Sequence, residues 1–373
     1  MPFEHINLQS PDVSIEAGLN SAVDVLRSGQ IAVLPTETVY GLAVRAADEE
    51  AVRRLIQIKG RAPGNPFALA FSGLMPITDY ATDMSTLANR LARRCLPGPI
   101  SLVLDVSPRD SSYHLLPKFV RHHTSRNSMV SFRVPNHPFT QSILTELDEP
   151  VILTSANRTG QGDPITPQEI ISELGADIDL LVSDGVLPFV CPSTVVKIDD
   201  NEYTVLREGV VKAATIARLT AQMFLFVCTG NTCRSPMAEL LCEQLLTERL
   251  NCTPETLEEK GFVVLSAGIA AGYENPASIQ AAEVMRRYGL DLTHHRSQLL
   301  NETHIRFADH IFTMTRTHRE AILSLWPDSD TRLNVLRIDG GDIADPFGSS
   351  ESVYYDCARQ LETEIKKRLD EIL

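Results

Sequence analysis

The residues best placed to do chemistry stand in one stretch, Cys228-Thr-Gly-Asn-Thr-Cys-Arg-Ser235. An apolar run, Met223 to Val227, precedes it. Pro236 and a helical pattern at Met237, Leu240, Leu241 and Leu245 follow. The spacing predicts strand, tight loop and helix, with Pro in the first helical turn, where no amide donor is needed. Such a loop aims backbone N–H groups into one concavity, and the helix dipole adds partial positive charge there. Cys228 sits at the mouth, where that field favours the thiolate. Arg234 can close back over the cradle as a planar bidentate fork. Thiolate, anion cradle and arginine together predict phosphoryl transfer through a phosphocysteine. A lone cysteine after a strand would read as core; the Cys-x5-Arg-Ser spacing makes that the weaker reading.

A thiolate displacing a leaving group needs a proton donor on the far side. Asp345, in Asp345-Pro-Phe-Gly348 beyond a predicted strand, is the candidate. It would protonate the leaving atom and then activate water, although Asp-Pro alone marks a turn. Cys233 shares the loop with the nucleophile. It either packs as a small residue or forms a reversible disulfide with Cys228 under oxidant. His294, His295, His304, His310 and His318 make no ligand set and are expected to be surface or structural groups.

The elements that must hold these groups follow from periodicity. Strands are predicted at 223–227, 262–268, 309–314 and 334–338, with helices near 277–288 and 353–372. Alternation of this kind argues for a flavodoxin-like parallel sheet, which binds ligand at the carboxyl ends of its strands. The first half reads as an α/β domain with a large twisted sheet. Helices are predicted at 15–26, 49–59, 84–95 and 167–174. Residues 31–41 read as a strand entering a polar loop. Strands are predicted at 67–71, 100–106, 129–134, 151–153, 180–182, 194–198 and 203–206. Loops at their ends carry Lys59, Arg61, Thr154-Ser-Ala-Asn157, Ser193, Thr194 and Arg207. Each alone is an ordinary cap or turn; together they have the cations and hydroxyls to hold a triphosphate.

At 373 residues the chain exceeds one usual core, so two domains are expected. Lys212 to Gln222 contains no Pro or Gly and reads as a helical turn rather than a tether. The cut is placed near 220, giving domains 1–219 and 220–373. Seven cysteines, an odd number scattered along the chain, predict reduced thiols. With no signal-like start and no long apolar run, the expected location is cytoplasmic, away from membrane. A net charge of −14 argues against an extended nucleic-acid interface.

The first half resembles the threonylcarbamoyl-AMP synthases, the YrdC-like fold. The matching pieces are Pro35-Thr-Glu-Thr-Val-Tyr-Gly-Leu-Ala43, Lys59-Gly-Arg61, Pro97-Gly-Pro99, Arg133-Val-Pro-Asn-His137, Thr154-Ser-Ala-Asn157, Ser193-Thr-Val-Val196 and Arg207-Glu-Gly209. The resemblance implies an enzyme that joins threonine, bicarbonate and ATP, carried with Mg²⁺, into threonylcarbamoyl-AMP and pyrophosphate. The product feeds tRNA modification, an indirect partnership with that machinery. It also implies that Lys59, Arg61, Ser155 and Asn157 hold the nucleotide, with Asn65, Ser193 and Arg207 assisting. Thr36 and Arg133 would hold threonine, with Ser193 beside them. The pattern departs at Ala70, where the family often has a polar residue, and at Met129.

The second half resembles the low-molecular-weight protein phosphatases. Besides Cys228–Ser235 and Asp345-Pro346, the matching pieces include Ser266-Ala-Gly268, Gly289-Leu-Asp291, His295-Arg-Ser297 and Asp309 to Met314. The resemblance implies Cys228 as nucleophile, Arg234 as clamp and Asp345 as acid/base, acting on phosphorylated proteins without a cofactor. Thr229, Gly230, Asn231, Thr232, Cys233, Ser235 and Phe347 would line the pocket. Ser235 would steady the thiolate and Asn231 the loop shape. Tyrosine-directed members usually have Ile at position 232; Thr232 and Phe347 resemble the protein-arginine phosphatase branch. The substrate is therefore expected to be phosphoarginine, with phosphotyrosine as the alternative. Two further alternatives stay open: a first domain that only binds nucleotide or RNA as a sensor, and a phosphatase domain that is inert.

Overall fold

The computed structural model describes residues 3–61 and 64–373. The chain forms two compact units, Met1–Ile216 and Ala217–Leu373, which divide inside the short helix Ala213–Thr220.

The first unit is built on a mixed sheet of eleven strands among the described residues. Its order runs Glu4–Asn7, Leu180–Ser183, Ala32–Leu34, Gly41–Arg45, Val151–Ser155, Ala68–Ala70, Met129–Arg133, Ile100–Asp105, Thr194–Asp199 and Glu202–Arg207. Ser125–Arg126 pairs beside Met129–Arg133. Helices Ile15–Arg27 and Pro138–Leu147 cover part of one face. Ala22, Val23, Leu26, Phe139, Ile143 and Leu144 pack there on Leu34, Ala43, Val151, Leu153 and Val182. Ala70 is fully buried in this cluster, a place where a polar side chain would have to be desolvated.

The local reasons lie in the sequence. Helix Glu49–Lys59 starts at Asp48, whose carboxylate accepts the Ala51 N–H, and stops at Gly60 in the left-handed conformation (φ 57°). That turn separates Lys59, which faces inward and is 3% exposed, from Arg61, which emerges on a cleft wall.

The second unit holds a four-stranded, all-parallel sheet. Its order is Phe262–Gly268, Gln222–Cys228, His310–Thr313 and Leu333–Val335. Gln222–Cys228 alternates its side chains between two cores. Phe224 and Phe226 pack against the helices Arg234–Leu250, Ile279–Arg287 and Glu351–Ile372. Leu225 and Val227 face Ile305 and Ile322, from the helices Glu302–Phe307 and Arg316–Leu325. The first strand of this unit lies between the second and the third, so its carboxyl end is the point where the winding reverses. Crevices of that kind bind ligands, and Cys228 is the strand's last residue.

Candidate active sites

In the second unit, the cradle is fixed by one asparagine. Asn231 takes a left-handed φ of 53°, which Asn tolerates better than most residues. Its Nδ2 donates to Ser235 Oγ (2.9 Å) and Ser266 Oγ (2.8 Å), and its Oδ1 accepts the Gln298 N–H at 2.9 Å. Its carbonyl accepts from His295 Nε2 at 2.7 Å. Ser235 Oγ, already accepting from Asn231, lies 3.0 Å from Cys228 Sγ, the nearer acceptor for its one hydrogen, with the Ala267 carbonyl at 3.4 Å. The Asn231 N–H also points at that sulfur, at 3.3 Å. Two donors therefore converge on Cys228, as a thiolate requires.

Behind this shell, Ser266 Oγ donates to Glu239 at 2.5 Å. Burial pushes the Glu239 carboxyl up to about 7. Gly268 is demanded by close approach: a Cβ there would lie 2.6 Å from the Thr229 carbonyl oxygen and 2.9 Å from the Asn231 nitrogen.

Arg234 is buried, with Nη1 donating to the Ile343 carbonyl at 3.0 Å and Nη2 to Asp345 Oδ2 at 2.5 Å. Its Nε has no acceptor among the described residues. Asp345 is half-exposed, and its Oδ1 accepts the Phe347 N–H at 3.2 Å. The Phe347 ring is 73% exposed, so this residue meets the site through its backbone rather than as a packed wall. Cys233 and Cys228 are both free thiols. Cys233 Sγ is engaged by Ser278 Oγ (3.3 Å) and Tyr354 Oη (3.2 Å). Thr232 lies at the cradle's rim, with its carbonyl accepting the Ser278 N–H at 2.8 Å.

In the first unit, an open cleft of about 1180 Å³ is lined by Arg61, Arg133, Ser155, Ser193 and Arg207, among others. Burial and the neighbouring Arg207 both hold the Arg61 guanidinium below its usual range. Arg133 is likewise lowered by burial; Glu37 opposes this, and Arg207 adds to it. Arg133 Nη2 bonds Thr38 Oγ1 (2.5 Å), Glu37 Oε1 (3.2 Å) and Thr36 Oγ1 (3.4 Å), while its buried Nε has no acceptor among the described residues. Arg207 donates to the Ser193 carbonyl at 2.8 Å, and Ser193 Oγ meets Ser101 Oγ at 3.0 Å. Three guanidiniums that repel one another in one cleft are the arrangement a polyanion would relieve.

Lys59, Ser155 and Asn157 do come together, but in a knot of their own. Lys59 Nζ donates to the Ser155 carbonyl (2.8 Å), the Asn157 carbonyl (2.6 Å) and Asn157 Oδ1 (2.7 Å). All three of its hydrogens are thereby engaged. Burial, then Arg61, brings its pKa down to about 8. Of this group Ser155 reaches the cleft wall, with Lys59 and Asn157 buried behind it. Asn65 lies on a neighbouring cavity of about 520 Å³, and its carbonyl accepts from Arg61 Nε at 2.9 Å.

A family model described as "Telomere recombination", that of the Sua5, YciO and YrdC proteins, matches residues 24–209. The model described as "Low molecular weight phosphotyrosine protein phosphatase" matches residues 223–373. A putative threonylcarbamoyl-AMP synthase of Methanocaldococcus jannaschii is 31% identical over 192 residues, covering 51% of this chain and 85% of that protein. A protein-arginine-phosphatase of Geobacillus stearothermophilus is 38% identical over 152 residues, covering 40% of this chain and 94% of that protein. The chain belongs to both families. Its first unit is a Sua5/YrdC domain and its second a low-molecular-weight phosphatase domain.

A solved structure of Pyrococcus abyssi Sua5 shares the fold, with a TM-score of 0.52 at 21% identity over 70% of this chain and 90% of that one. The match to the threonylcarbamoyl-AMP synthase of that organism spans 57% of its length. Among the described residues, no helix is long and apolar enough to cross a membrane, and no group of three or more His, Cys, Asp or Glu is placed to hold a metal.

Sequence reasoning missed several groups around the phosphatase-domain cradle. Ser266, Gln298 and His295 reach Asn231 from distant elements, and Glu239, on the helix that follows the loop, holds Ser266. His318 is not a surface group: it is buried, and its Nε2 lies 2.9 Å from Thr229 Oγ1. Burial and the adjacent Arg234 bring its pKa down to about 4. Its only advance signal was its place in the first turn of a helix after a strand end. Glu37, which pairs with Arg133 in the Sua5/YrdC domain, lay inside a quoted motif but was given no role.

Proposed function

We propose that the chain joins two enzymes: a synthase that makes threonylcarbamoyl-AMP from ATP, threonine and bicarbonate, and a cysteine phosphatase that acts on phosphoarginine in proteins. The division at 1–219 and 220–373 is part of this reading.

For the synthase, the carrying observation is the convergence of Arg61, Arg133 and Arg207 on one cleft. Arg61 and Arg207 would take the nucleotide phosphates. The Arg133 Nε, without a protein acceptor, suits the threonine carboxylate, with Thr36 and Thr38 beside it. Mg²⁺ would arrive on the phosphates, and Asp163 on the cleft wall is a carboxylate to complete its shell. The Lys59 knot orients Ser155 and Asn157. The P. abyssi Sua5, similar to this chain in fold, has also been solved in complex with L-threonine.

For the phosphatase, the carrying observation is the pair of donors on Cys228 Sγ with Arg234 and Asp345 alongside. The thiolate attacks phosphorus, forming the S–P bond as the P–N bond breaks, and Asp345 gives its proton to the leaving guanidine nitrogen. Asp345 then takes a proton from water, whose oxygen bonds phosphorus as the S–P bond breaks and phosphate leaves. Support for phosphoarginine comes from Thr232 in place of an aliphatic residue and from the similarity to a protein-arginine-phosphatase. Asp345, half-exposed at the mouth, is a carboxylate able to pair with a guanidinium.

A paired assay on the purified chain tests both halves. Threonine- and bicarbonate-dependent pyrophosphate release from ATP is expected, together with Cys228-dependent hydrolysis of phosphoarginine. Nucleotide binding without pyrophosphate release would reduce the first unit to a sensor. A tenfold preference for phosphotyrosine would reassign the second.

A further inference from the structure

Thr229, the residue after the nucleophile, is exposed at the mouth of the cradle, yet it is clamped from two directions. Its carbonyl accepts the Ala270 N–H at 2.9 Å, just past the neighbouring strand. Its hydroxyl lies 2.9 Å from His318 Nε2, which comes from the helix Arg316–Leu325 on the opposite side. His318 is itself anchored: it is 5% exposed, and its N–H donates to Thr315 Oγ1 at 3.2 Å.

The remaining ring nitrogen, Nδ1, is buried without a partner among the described residues. This selects the tautomer. With the hydrogen on Nε2, the unpaired atom is a bare acceptor. With the hydrogen on Nδ1, a buried donor would be left unsatisfied, the rarer and costlier case. Nε2–H therefore donates to Thr229 Oγ1, and the threonine's own hydrogen is left to turn toward the cradle. A charged imidazole would instead add a cation beside Arg234 and compete for Asp345 and Asp342; burial and Arg234 keep the ring neutral well below neutral pH.

We propose that His318 is a positioning residue of the phosphoryl-transfer site, fixing the Thr229 hydroxyl as a hydrogen-bond donor at the mouth of the Cys228 cradle. This rests on the phosphatase reading. An oriented donor beside developing negative charge contributes more in the transition state than in the bound substrate.

The test uses the full chain, with p-nitrophenyl phosphate as substrate and vanadate as inhibitor, in wild type, Thr229→Val, His318→Ala, His318→Gln and the double variant Thr229→Val/His318→Ala. Thr229→Val and His318→Ala should each lower kcat about tenfold with little change in KM, and weaken vanadate inhibition in step. The double variant should be no worse than the poorer single one, because both remove the same donor. His318→Gln, whose amide N–H can reach the same oxygen, should recover most of the loss. Losses that multiply in the double variant, wild-type kcat in His318→Ala, or a Gln variant as poor as Ala would each overturn the proposal. Thr229→Val is near-isosteric at an exposed position, so it reports even if His318→Ala lowers the melting temperature. Wild-type turnover that survives Cys228→Ser would instead remove the phosphatase reading itself.

Discussion

Arg234 holds Asp345: Nη2 of the buried guanidinium donates to Oδ2 of the half-exposed carboxylate at 2.5 Å. In the proposed mechanism, the phosphate clamp and the proton donor are thus in contact. On that mechanism, a phosphorylated substrate entering the cradle would compete with Asp345 for the guanidinium and release the acid toward the leaving atom. Asp345→Asn should therefore separate binding from chemistry. Inorganic phosphate should inhibit this variant more tightly than wild type, while kcat falls by about 10²–10⁴, the usual size of a lost acid/base group. Phosphate inhibition unchanged or weaker, measured by steady-state kinetics, would show that the pair does not compete with substrate.

Thr232 is the residue on which the substrate assignment turns. Thr232→Ile should lower turnover of phosphoarginine and raise that of phosphotyrosine, moving their ratio by about tenfold or more, roughly 1.4 kcal/mol. Parallel losses on both substrates would show that position 232 does not choose between them.

Two glutamates of helix Arg234–Leu250 predict an unusual pH dependence of stability. Burial raises both Glu239 and Glu243 to about 7, from an ordinary value of 4.5. The folded chain thus keeps protons that the unfolded chain has already lost. Their contribution is full below about 4.5 and disappears as pH rises through 7. His318, lowered to about 4, works in the opposite sense between 4 and 6.5. Glu243→Gln should raise the melting temperature by roughly 2–4 °C at pH 8 and by less at pH 5, a change worth about 1 kcal/mol. Equal shifts at the two pH values would mean that Glu243 ionises normally in the folded chain.

The Lys59 knot and Arg207 predict two kinds of failure in the first unit. Lys59→Met removes three buried hydrogen bonds; Asn157 Oδ1 keeps the Ser155 hydroxyl as donor at 2.7 Å, while the Ser155 and Asn157 carbonyls lose their lysine donor, at about 1–3 kcal/mol per group before relaxation. It should lower the melting temperature by several degrees and abolish synthase activity. Arg207→Ala removes a repelling cation from the cleft, so it should leave the melting temperature nearly unchanged and lose ATP binding. Calorimetry of the two variants, with and without ATP, distinguishes the roles.

What the sequence disclosed was local. The order of Cys, Gly, Asn, Arg and Ser in 228–235 sets a backbone path, so the cradle and its helix were legible. Lys59-Gly-Arg61 was legible as a pair of cations, but not as one buried and one open, because Gly60 decides that through its left-handed turn. Gly41–Arg45 was missed: it pairs antiparallel with Ala32–Leu34, and four of its five residues are buried, which leaves no alternation to read. Helix Pro138–Leu147 carried its signal in Pro138 and in the spacing of Phe139, Ile143 and Leu147, and it was overlooked. The contacts of Ser266 and His318 with the cradle, and of Glu239 with Ser266, were not legible. They join elements far apart in the chain (Thr229 and His318 are 89 residues apart), and the packing of the sheet alone brings them together.

The central claim is a covalent intermediate on Cys228. It is tested most directly by quenching the Asp345→Ala variant during turnover of p-nitrophenyl phosphate, whose leaving group departs without a proton donor, and mapping the phosphoryl group by mass spectrometry. The account predicts one phosphoryl group on Cys228, accumulating because water activation is slowed. Turnover with no modified Cys228, or a phosphoryl group on another residue, would contradict it.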